Sequence, residues 1–345
     1  MAKFARLIVR WFVPLIGGGL ALAAMFFLYR SLNFNLFLDE LKAARFWWIV
    51  VLAATILLEQ LIQGWKWRQL LYDLKPISSA RLTGAFLAGY GANILVPLGI
   101  SPLVRSWLIA RLEELRMATV LVTTAISRFI DGIVFAIVAG VVALTGQIPN
   151  IEGDLRTGVA VAGALNLILF SGALWLLFRS RAQFALDNSW ISRVVDWLAA
   201  KGRGTLNDLR GALAKGIVWP QQRARQTAII AASFAMKAVA TTHFVWAGLA
   251  VGVTLEFFDY LFLMVFAGFA LVLARFIRVP GGFVIGSGFA LKLLGVPDEQ
   301  ALAMILLNHM ISIILVVGIG LVVLWQSGID IRAMAQNIEK PDASP

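Results

Sequence analysis

The chain has 345 residues, of which 60% are hydrophobic and only 14% are charged, whereas a soluble globular domain carries roughly 25% charged residues. A water-soluble fold of this size could not bury so much apolar surface, so the composition excludes a soluble enzyme and equally a disordered or fibrous chain. The sequence is that of a polytopic membrane protein, and its long apolar runs predict an all-α helix bundle.

The net charge of +11 reflects membrane topology rather than nucleic-acid binding. Lys and Arg lie mainly in the connections between apolar runs, as expected of cytoplasmic loops that face anionic lipid headgroups. The sequence contains no cysteine, which excludes disulfides and thiolate metal sites. By the same charge rule we expect the N-terminus, with its basic residues, to be cytoplasmic.

Seven apolar runs reach the length of about 20 residues that a helix needs to cross the hydrocarbon. In chain order they are Trp11–Tyr29, Phe46–Trp65, Ala118–Leu144, Gly158–Phe178, Ala228–Val253, Phe257–Ala274 and Ala301–Trp325. The first resembles a signal peptide, but its apolar run continues beyond the cleavage-like Ala21-Leu22-Ala23, so we predict an uncleaved helix.

Two further apolar segments are short and adjoin a proline. Leu82–Val96 ends at Pro97, and Gly281–Val296 follows Pro280. We interpret both as broken or re-entrant helices, which gives about seven to eight spans in all. The residues predicted to break these helices are Pro97, Gly99, Pro280, Gly281 and Gly282.

The two breaks share a V-P-x-G pattern and stand at corresponding positions in the two halves of the chain, which predicts an internal repeat. Interrupted segments at corresponding positions often mark a transporter's binding site. We expect one integral membrane domain over 1–326, with halves at about 1–178 and 227–326, and a polar tail over 327–345. The basic connection 179–226 carries two apolar stripes at helical spacing, which fit either amphipathic surface helices or a hairpin that links the halves.

Polar groups set into the apolar segments are the candidate substrate-binding residues. Each buried charge costs about 2.5–3.5 kcal/mol on insertion scales, so charges retained at membrane depth are usually functional. The candidates are Glu59, Asn93, Arg105, Arg128, Asp131 and Lys237.

Arg128 and Asp131 lie on one helical face, and two interpretations stay open. Arg128 could hold a lipid phosphate while Asp131 orients it, or the two could form an ion pair that joins helices. Glu59 and Lys66 also share a helical face. We expect Glu59 to point inward and Lys66 to extend toward the membrane interface.

Catalytic and nucleotide-binding patterns are absent from the sequence. There is no H-E-x-x-H, no Walker A lysine motif and no Gly-x-Ser-x-Gly elbow. We therefore expect no enzyme activity, no metal and no cofactor.

Several motifs together point to a known family. They are Gly64-Trp65-Lys66-Trp67-Arg68, Asn93 and Pro97 with Arg105, Ser127-Arg128-Phe129-Ile130-Asp131, Val279-Pro280-Gly281-Gly282, and Gly295-Val296-Pro297. In this order and spacing, over roughly Arg10 to Trp325, the chain resembles the flippase-like transmembrane domain of lysylphosphatidylglycerol synthases. The synthases' aminoacyl-transferase domain is absent from the sequence, so we do not expect lipid synthesis.

The resemblance implies a multi-pass protein of the bacterial cell membrane that moves a phosphate-bearing lipid between leaflets. The lipids it implies are phospholipids, polyprenyl-linked lipids and hopanoid-associated lipids. The second hypothesis is a non-transporting accessory protein that docks a lipid- or glycan-modifying enzyme through the 179–226 connection. The expected partners are anionic or polyprenyl phosphate lipids, that enzyme and a second copy in a homodimer, but no nucleic acid.

Overall fold

The computed structural model describes residues 22–30, 32–95, 101–145, 153–183, 215–277 and 281–327, together with Gly19. Within these ranges every regular element is helical, which confirms the all-α prediction. In chain order the helices are α1 (22–29), α2 (Phe34–Lys42), α3 (Phe46–Leu71), α4 (Ser79–Leu95), α5 (Ser101–Leu112), α6 (Met117–Thr145), α7 (Gly153–Gln183), α8 (Arg223–Ala250), α9 (Phe257–Ile277), α10 (Gly282–Leu293), α11 (Asp298–Ser312) and α12 (Gly318–Gln326).

Among the described residues, six helical stretches are long and apolar enough to cross a membrane. They correspond to the six predicted spans that follow the first run, and α11 and α12 form one of them through the π-helical turn Ile313–Val317. Most of the first run lies outside the described residues. Also outside the described residues are Pro97, Gly99, Pro280, the segment 184–214 of the long connection and the tail beyond Ser327.

The predicted internal repeat is visible in the helix boundaries. A shift of 181 residues carries the start of α5 at Ser101 onto the start of α10 at Gly282, and both helices have 12 residues. The same shift carries Met117 at the start of α6 onto Asp298 at the start of α11, and each of these spans has 29 residues. Two corresponding halves therefore each contain a short helix followed by a long span.

The first short segment forms an antiparallel hairpin of α4 and α5. The Asn93 side chain near the end of α4 accepts a hydrogen bond from the backbone N–H of Ser101, the first residue of α5, at 2.9 Å. One turn earlier, a Cβ on Gly89 would lie 2.7 Å from Ser101 Oγ and 3.5 Å from Arg105 Cβ. The hairpin closes because glycine lets the two backbones approach.

The second short segment forms a matching hairpin of α9 and α10. A Cβ on Gly286 would clash with the side chain of Ala270, and one on Gly282 would clash with that of Ala274. Gly281 precedes α10 with φ of 73°, a left-handed conformation that glycine adopts readily. The two predicted short segments are thus single helices, α4 and α10, and each packs in a hairpin with a neighbouring helix through small residues at the crossing.

The glycine at the crossing lies on the first helix of the first hairpin, α4, but on the second helix of the second hairpin, α10. The 181-residue shift carries Gly89 onto Ala270 and Arg105 onto Gly286. In the first hairpin the glycine is on the outgoing helix, so the returning helix can carry a large side chain. In the second hairpin the returning helix has the glycine, so it cannot carry a large side chain at this position.

The chain divides into two compact units, each of which combines parts of both halves. The α4–α5 unit comprises 57–134, 165–236 and 313–345, and the α9–α10 unit comprises 1–56, 135–164 and 237–312. The core of the α4–α5 unit includes Trp67, whose ring meets that of Phe86 edge-on at 5.0 Å and whose Nε1 donates to Thr123 Oγ1 at 3.1 Å.

The α9–α10 unit is held by polar contacts at a helix end and by aromatic stacking. Asn33 caps α2 by accepting hydrogen bonds from two backbone N–H groups, and its own N–H donates to Glu299 at 2.9 Å. The ring of Phe283 on α10 stacks against Phe244 and against His309. These contacts join α2, α8, α10 and α11.

Glu113 fastens the turn between α5 and α6 outside the membrane-spanning segments. Its buried carboxylate accepts hydrogen bonds from Arg81 and pairs with Lys75 at 3.1 Å. Burial by itself would raise the pKa of Glu113, but the hydrogen bonds from Arg81 and Lys75 hold this pKa below its usual range. The carboxylate is therefore charged in the folded protein and ties the turn to the start of α4.

Gly320→Ala should destabilise the protein. Gly320 of α12 crosses α4, and a Cβ there would clash with the backbone carbonyl of Leu87. We expect a loss of about 1–3 kcal/mol from overpacking, measured by thermal unfolding in detergent. Gly318→Ala is the matched control because nothing lies within 4 Å of its added Cβ. Equal melting temperatures for the two variants would contradict this account of the crossing.

Glu113→Gln should lower stability at neutral pH and weaken its dependence on acid. A lowered folded-state pKa contributes stability above the ordinary value of 4.5, and that contribution is lost as pH falls through the lowered value. We expect about 1 kcal/mol at most, because solvent screens the half-exposed Lys75 and Arg81. Melting curves from pH 7 down to pH below 4.5 test this. Parallel declines in wild type and variant would contradict it.

Candidate functional site

Five of the six predicted site residues belong to the α4–α5 unit: Glu59, Asn93, Arg105, Arg128 and Asp131. Lys237 belongs to the α9–α10 unit, where its Nζ lies 5.6 Å from the centroid of the Phe135 ring. The candidate site is therefore built in the α4–α5 unit without Lys237.

Arg105 is the most unusual residue of the site. Its side chain is 0% exposed, and among the described residues none of its three guanidinium nitrogens has a hydrogen-bond partner. The guanidinium lies 4.4 Å above the ring of Phe86, whose negative face supplies a part of the missing stabilisation. A buried cation with several free donors is satisfied best by an anion with several oxygen acceptors.

Arg128 and Tyr90 contact each other, and both interact electrostatically with Arg105. Arg128 Nη2 donates to the Tyr90 hydroxyl at 3.5 Å, and the side chain of Arg128 is exposed. Arg105 is within electrostatic range of both Arg128 and Tyr90. An accessible guanidinium, a phenol and a buried guanidinium thus form one group of hydrogen-bond donors on α4, α5 and α6.

Asp131 pairs with Lys66, which corrects the prediction for Lys66. The Lys66 side chain is 0% exposed and its Nζ donates to Asp131 Oδ1, so it does not extend to the membrane interface. Ser233 Oγ also donates to Asp131 Oδ1, at 3.0 Å. Asp131 thus forms its ion pair with Lys66, whereas the sequence interpretation had Arg128 as the partner, and the contacts of Asp131 join α3, α6 and α8.

This pairing separates the roles of the two residues predicted to act together. Arg128 contacts Tyr90, while the Asp131 carboxylate is held by Lys66 and Ser233. Arg128 thus lies on α6, and the contacts of Asp131, one turn later in the same helix, stabilise the position of that helix. Glu59 of α3 is partly buried and interacts electrostatically with Arg128 and Tyr90.

Asn93 has a structural role in the hairpin. Its side-chain oxygen accepts from the N–H at the start of α5, where helix N–H groups lack partners within the helix. The sequence predicts Asn93 as a substrate-binding residue, and the hydrogen bond observed is to a backbone donor. This bond still fixes the start of α5, the helix that contains Arg105.

Tyr90 escaped the sequence analysis, and the prediction for Lys66 was wrong, although the sequence held a signal for each residue. Tyr90 precedes Asn93 by three residues and so shares its helical face. Lys66 shares a helical face with the polar residues Glu59 and Gln63, and Gln63 is buried as Lys66 is. Over the described ranges, His, Cys, Asp and Glu form no group of three that could hold a metal ion.

Removing one partner of the Lys66–Asp131 pair should lower the stability of the protein more than removing both partners. Lys66→Met or Asp131→Asn alone leaves a buried group unpaired, for a loss of about 3–5 kcal/mol, whereas the double variant should be more stable than either. Thermal unfolding in one detergent measures all three. Asp39→Asn is the matched control, because its pair with Lys42 is exposed, and we expect a change of about 0.5 kcal/mol or less there. A double variant no more stable than the worse single one would contradict this pairing.

Comparison with known families gives one match. A family model described as "Lysylphosphatidylglycerol synthase TM region" matches residues 14–320, which include both hairpins and the site. Comparisons with curated proteins and with solved structures find no match. The synthase activity of this family lies in a separate domain, and the matched region is a membrane domain of lipid-related function. With six helices able to cross the bilayer in the described part of the chain, this is a multi-pass membrane protein that belongs to the lysylphosphatidylglycerol synthase TM region family.

Proposed function

We propose that this protein translocates a phosphate-bearing lipid between the leaflets of the bacterial cell membrane, with its N-terminus in the cytoplasm. The observation that carries the proposal is Arg105, a guanidinium buried without a hydrogen-bond partner among the described residues of a membrane hairpin. Retaining such a cation in an apolar setting is costly, so it points to an anionic ligand.

The geometry suggests how a headgroup would enter. Arg128 is exposed and Arg105 is fully buried, with Tyr90 interacting electrostatically with both. A phosphate would first meet Arg128 and then exchange donors toward Arg105 without losing all its partners at any step. Fixed donors in place of water lower the free energy of an anion at membrane depth.

The rest of the unit serves to hold these donors still. Lys66, Asp131 and Ser233 secure α6 near Arg128. Asn93 fixes the start of α5 by its hydrogen bond, and the face of the Phe86 ring packs against the Arg105 guanidinium. The lipid's hydrocarbon chains would stay in the bilayer, because the donors serve only the headgroup.

Arg128→Ala should reduce transport by roughly ten- to hundredfold, since a hydrogen bond to a charged group contributes about 1.5–3 kcal/mol. Arg128→Lys should keep part of the activity, because it keeps the charge but not the planar fork of donors. The measurement is the rate at which a fluorescent phospholipid becomes accessible to a membrane-impermeant quencher in proteoliposomes.

Arg111→Ala is the matched control for this experiment. Arg111 is an exposed arginine of the same α5 helix, and its guanidinium lies over the ring of Trp107 at 5.3 Å. We expect its transport rate to match that of the wild type. Each variant must first show a wild-type melting temperature and elution profile. Undiminished transport in Arg128→Ala would overturn the assignment of Arg128, and absence of transport in the wild type would favour the accessory-protein hypothesis.

A further inference from the structure

We infer that the phosphate group of an anionic lipid binds at the membrane interface, between the end of α3 and the start of α8, at a site formed by Arg68, Tyr72 and Arg225. The site uses none of the arginines proposed for transport, and its ligand does not depend on the proposed function. Two guanidinium groups share one aromatic ring there, and neither has a carboxylate partner among the described residues.

The ring of Tyr72 contacts arginines from two helices. The guanidinium carbon of Arg225 lies 3.4 Å from the centroid of this ring, and that of Arg68 lies 5.7 Å from the same centroid. Arg68 belongs to the last turn of α3, and Arg225 belongs to the first turn of α8. The packing of the two helices thus brings two positive charges to one aromatic side chain.

Arg225 is held in place by neutral groups. Its Nε donates to Gln222 Oε1 at 2.9 Å, and its Nη1 donates to Gln69 Oε1 at 3.1 Å. These hydrogen bonds and the Tyr72 ring orient the guanidinium, but no group among them carries a negative charge. The first turn of α8 contains no acidic residue, and a helix dipole disfavours a cation at this end.

Arg68 has fewer contacts than Arg225. Its buried Nε has no hydrogen-bond partner among the described residues, and neither arginine forms an ion pair with a described carboxylate. Asp73, which follows Tyr72 in the chain, instead accepts a hydrogen bond from the backbone N–H of Gln221 at 3.2 Å. The two guanidinium groups therefore repel each other without a described anion to offset the repulsion.

A phosphate group is the ligand that suits this pair. Its oxygens accept hydrogen bonds from two planar guanidinium groups at once, and its negative charge offsets their repulsion. Arg68 and Arg225 are only partly buried, so a ligand can reach them. Both lie near the end of a helix that is long enough to cross the membrane, which is the depth of the lipid headgroups. This position favours a lipid as the source of the phosphate.

A headgroup bound at this site would hold α3 to α8. The same two helices also meet through Asp131, which is bonded by Lys66 of α3 and by Ser233 of α8. A ligand that binds the folded state alone raises the melting temperature of a protein. We therefore expect anionic lipid at this site to stabilise the folded protein.

The melting temperature in mixed micelles tests the site. Purified wild-type protein is unfolded in detergent that contains the same mole fraction of phosphatidylglycerol or of phosphatidylcholine, with identical acyl chains. We expect the melting temperature in phosphatidylglycerol to be higher by about 2 °C or more. Equal melting temperatures in the two micelles would overturn the inference.

A double variant places the effect at the two arginines. Arg68→Gln/Arg225→Gln should lose most of the difference between the two micelles, and native mass spectrometry should show less phosphatidylglycerol retained than on the wild type. Because each protein is compared with itself in two micelles, a lower basal stability of the variant does not affect the result. A double variant with the wild-type difference would overturn the assignment.

Arg111→Gln/Arg179→Gln is the matched control. Each of these arginines is exposed and lies over a single ring, that of Trp107 or that of Trp175. The control therefore removes the same charge and the same kind of ring contact, and we expect it to keep the wild-type difference. An equal loss in the control would mean that overall charge explains the effect, and the inference would be wrong.

Two further measurements separate this site from other sources of the effect. Arg128→Ala should keep most of the difference, and a loss there, with none in Arg68→Gln/Arg225→Gln, would place the effect at the proposed transport site and overturn the inference. Glycerophosphoglycerol and inorganic phosphate supply the same chemistry without acyl chains. Weaker stabilisation by both than by phosphatidylglycerol supports a lipid headgroup, whereas equal stabilisation by inorganic phosphate would overturn the assignment to a lipid. None of these measurements requires transport, so their outcome is independent of the proposed function.

Discussion

The close crossing of α4 and α5 is the constraint on which the candidate site depends. Gly89 leaves room for α5 to return beside α4, and this contact places Arg105 in the interior against Phe86. A larger residue at Gly89 would separate the helices, because its Cβ would meet Ser101. The hairpin thereby holds a guanidinium at a depth where hydrophobic packing alone would exclude one.

The second hairpin repeats this arrangement of helices, but a glycine stands where the first hairpin has Arg105. The 181-residue shift that relates the halves carries Arg105 onto Gly286, and Arg128 and Asp131 onto His309 and Ser312. At the positions that correspond to Arg105, Arg128 and Asp131, the second half thus has uncharged or weakly basic residues, and its hairpin crossing is occupied by Gly286 instead of an arginine.

The ion pair of Lys66 with Asp131 has a different role from the arginines beside it. A buried pair contributes little net stability, because desolvation offsets its Coulomb attraction. It nevertheless specifies which faces of α3, α6 and α8 meet, since any rotation would leave a buried charge unpaired. That register in turn directs Arg128 of α6 toward Tyr90 of α4.

Sequence alone determined the all-α architecture and the six described spans that follow the first apolar run, because apolar length is a local property of the chain. It did not determine partners: Arg128 and Asp131 share a helical face, yet Asp131 binds Lys66, which lies 65 residues away. Nor did it place Tyr90, show that Lys66 is buried, or show that Lys237 belongs to the other unit. Only the tertiary structure decided these points, because which charges meet depends on how separate helices pack, and periodicity along one helix carries no information about its neighbours.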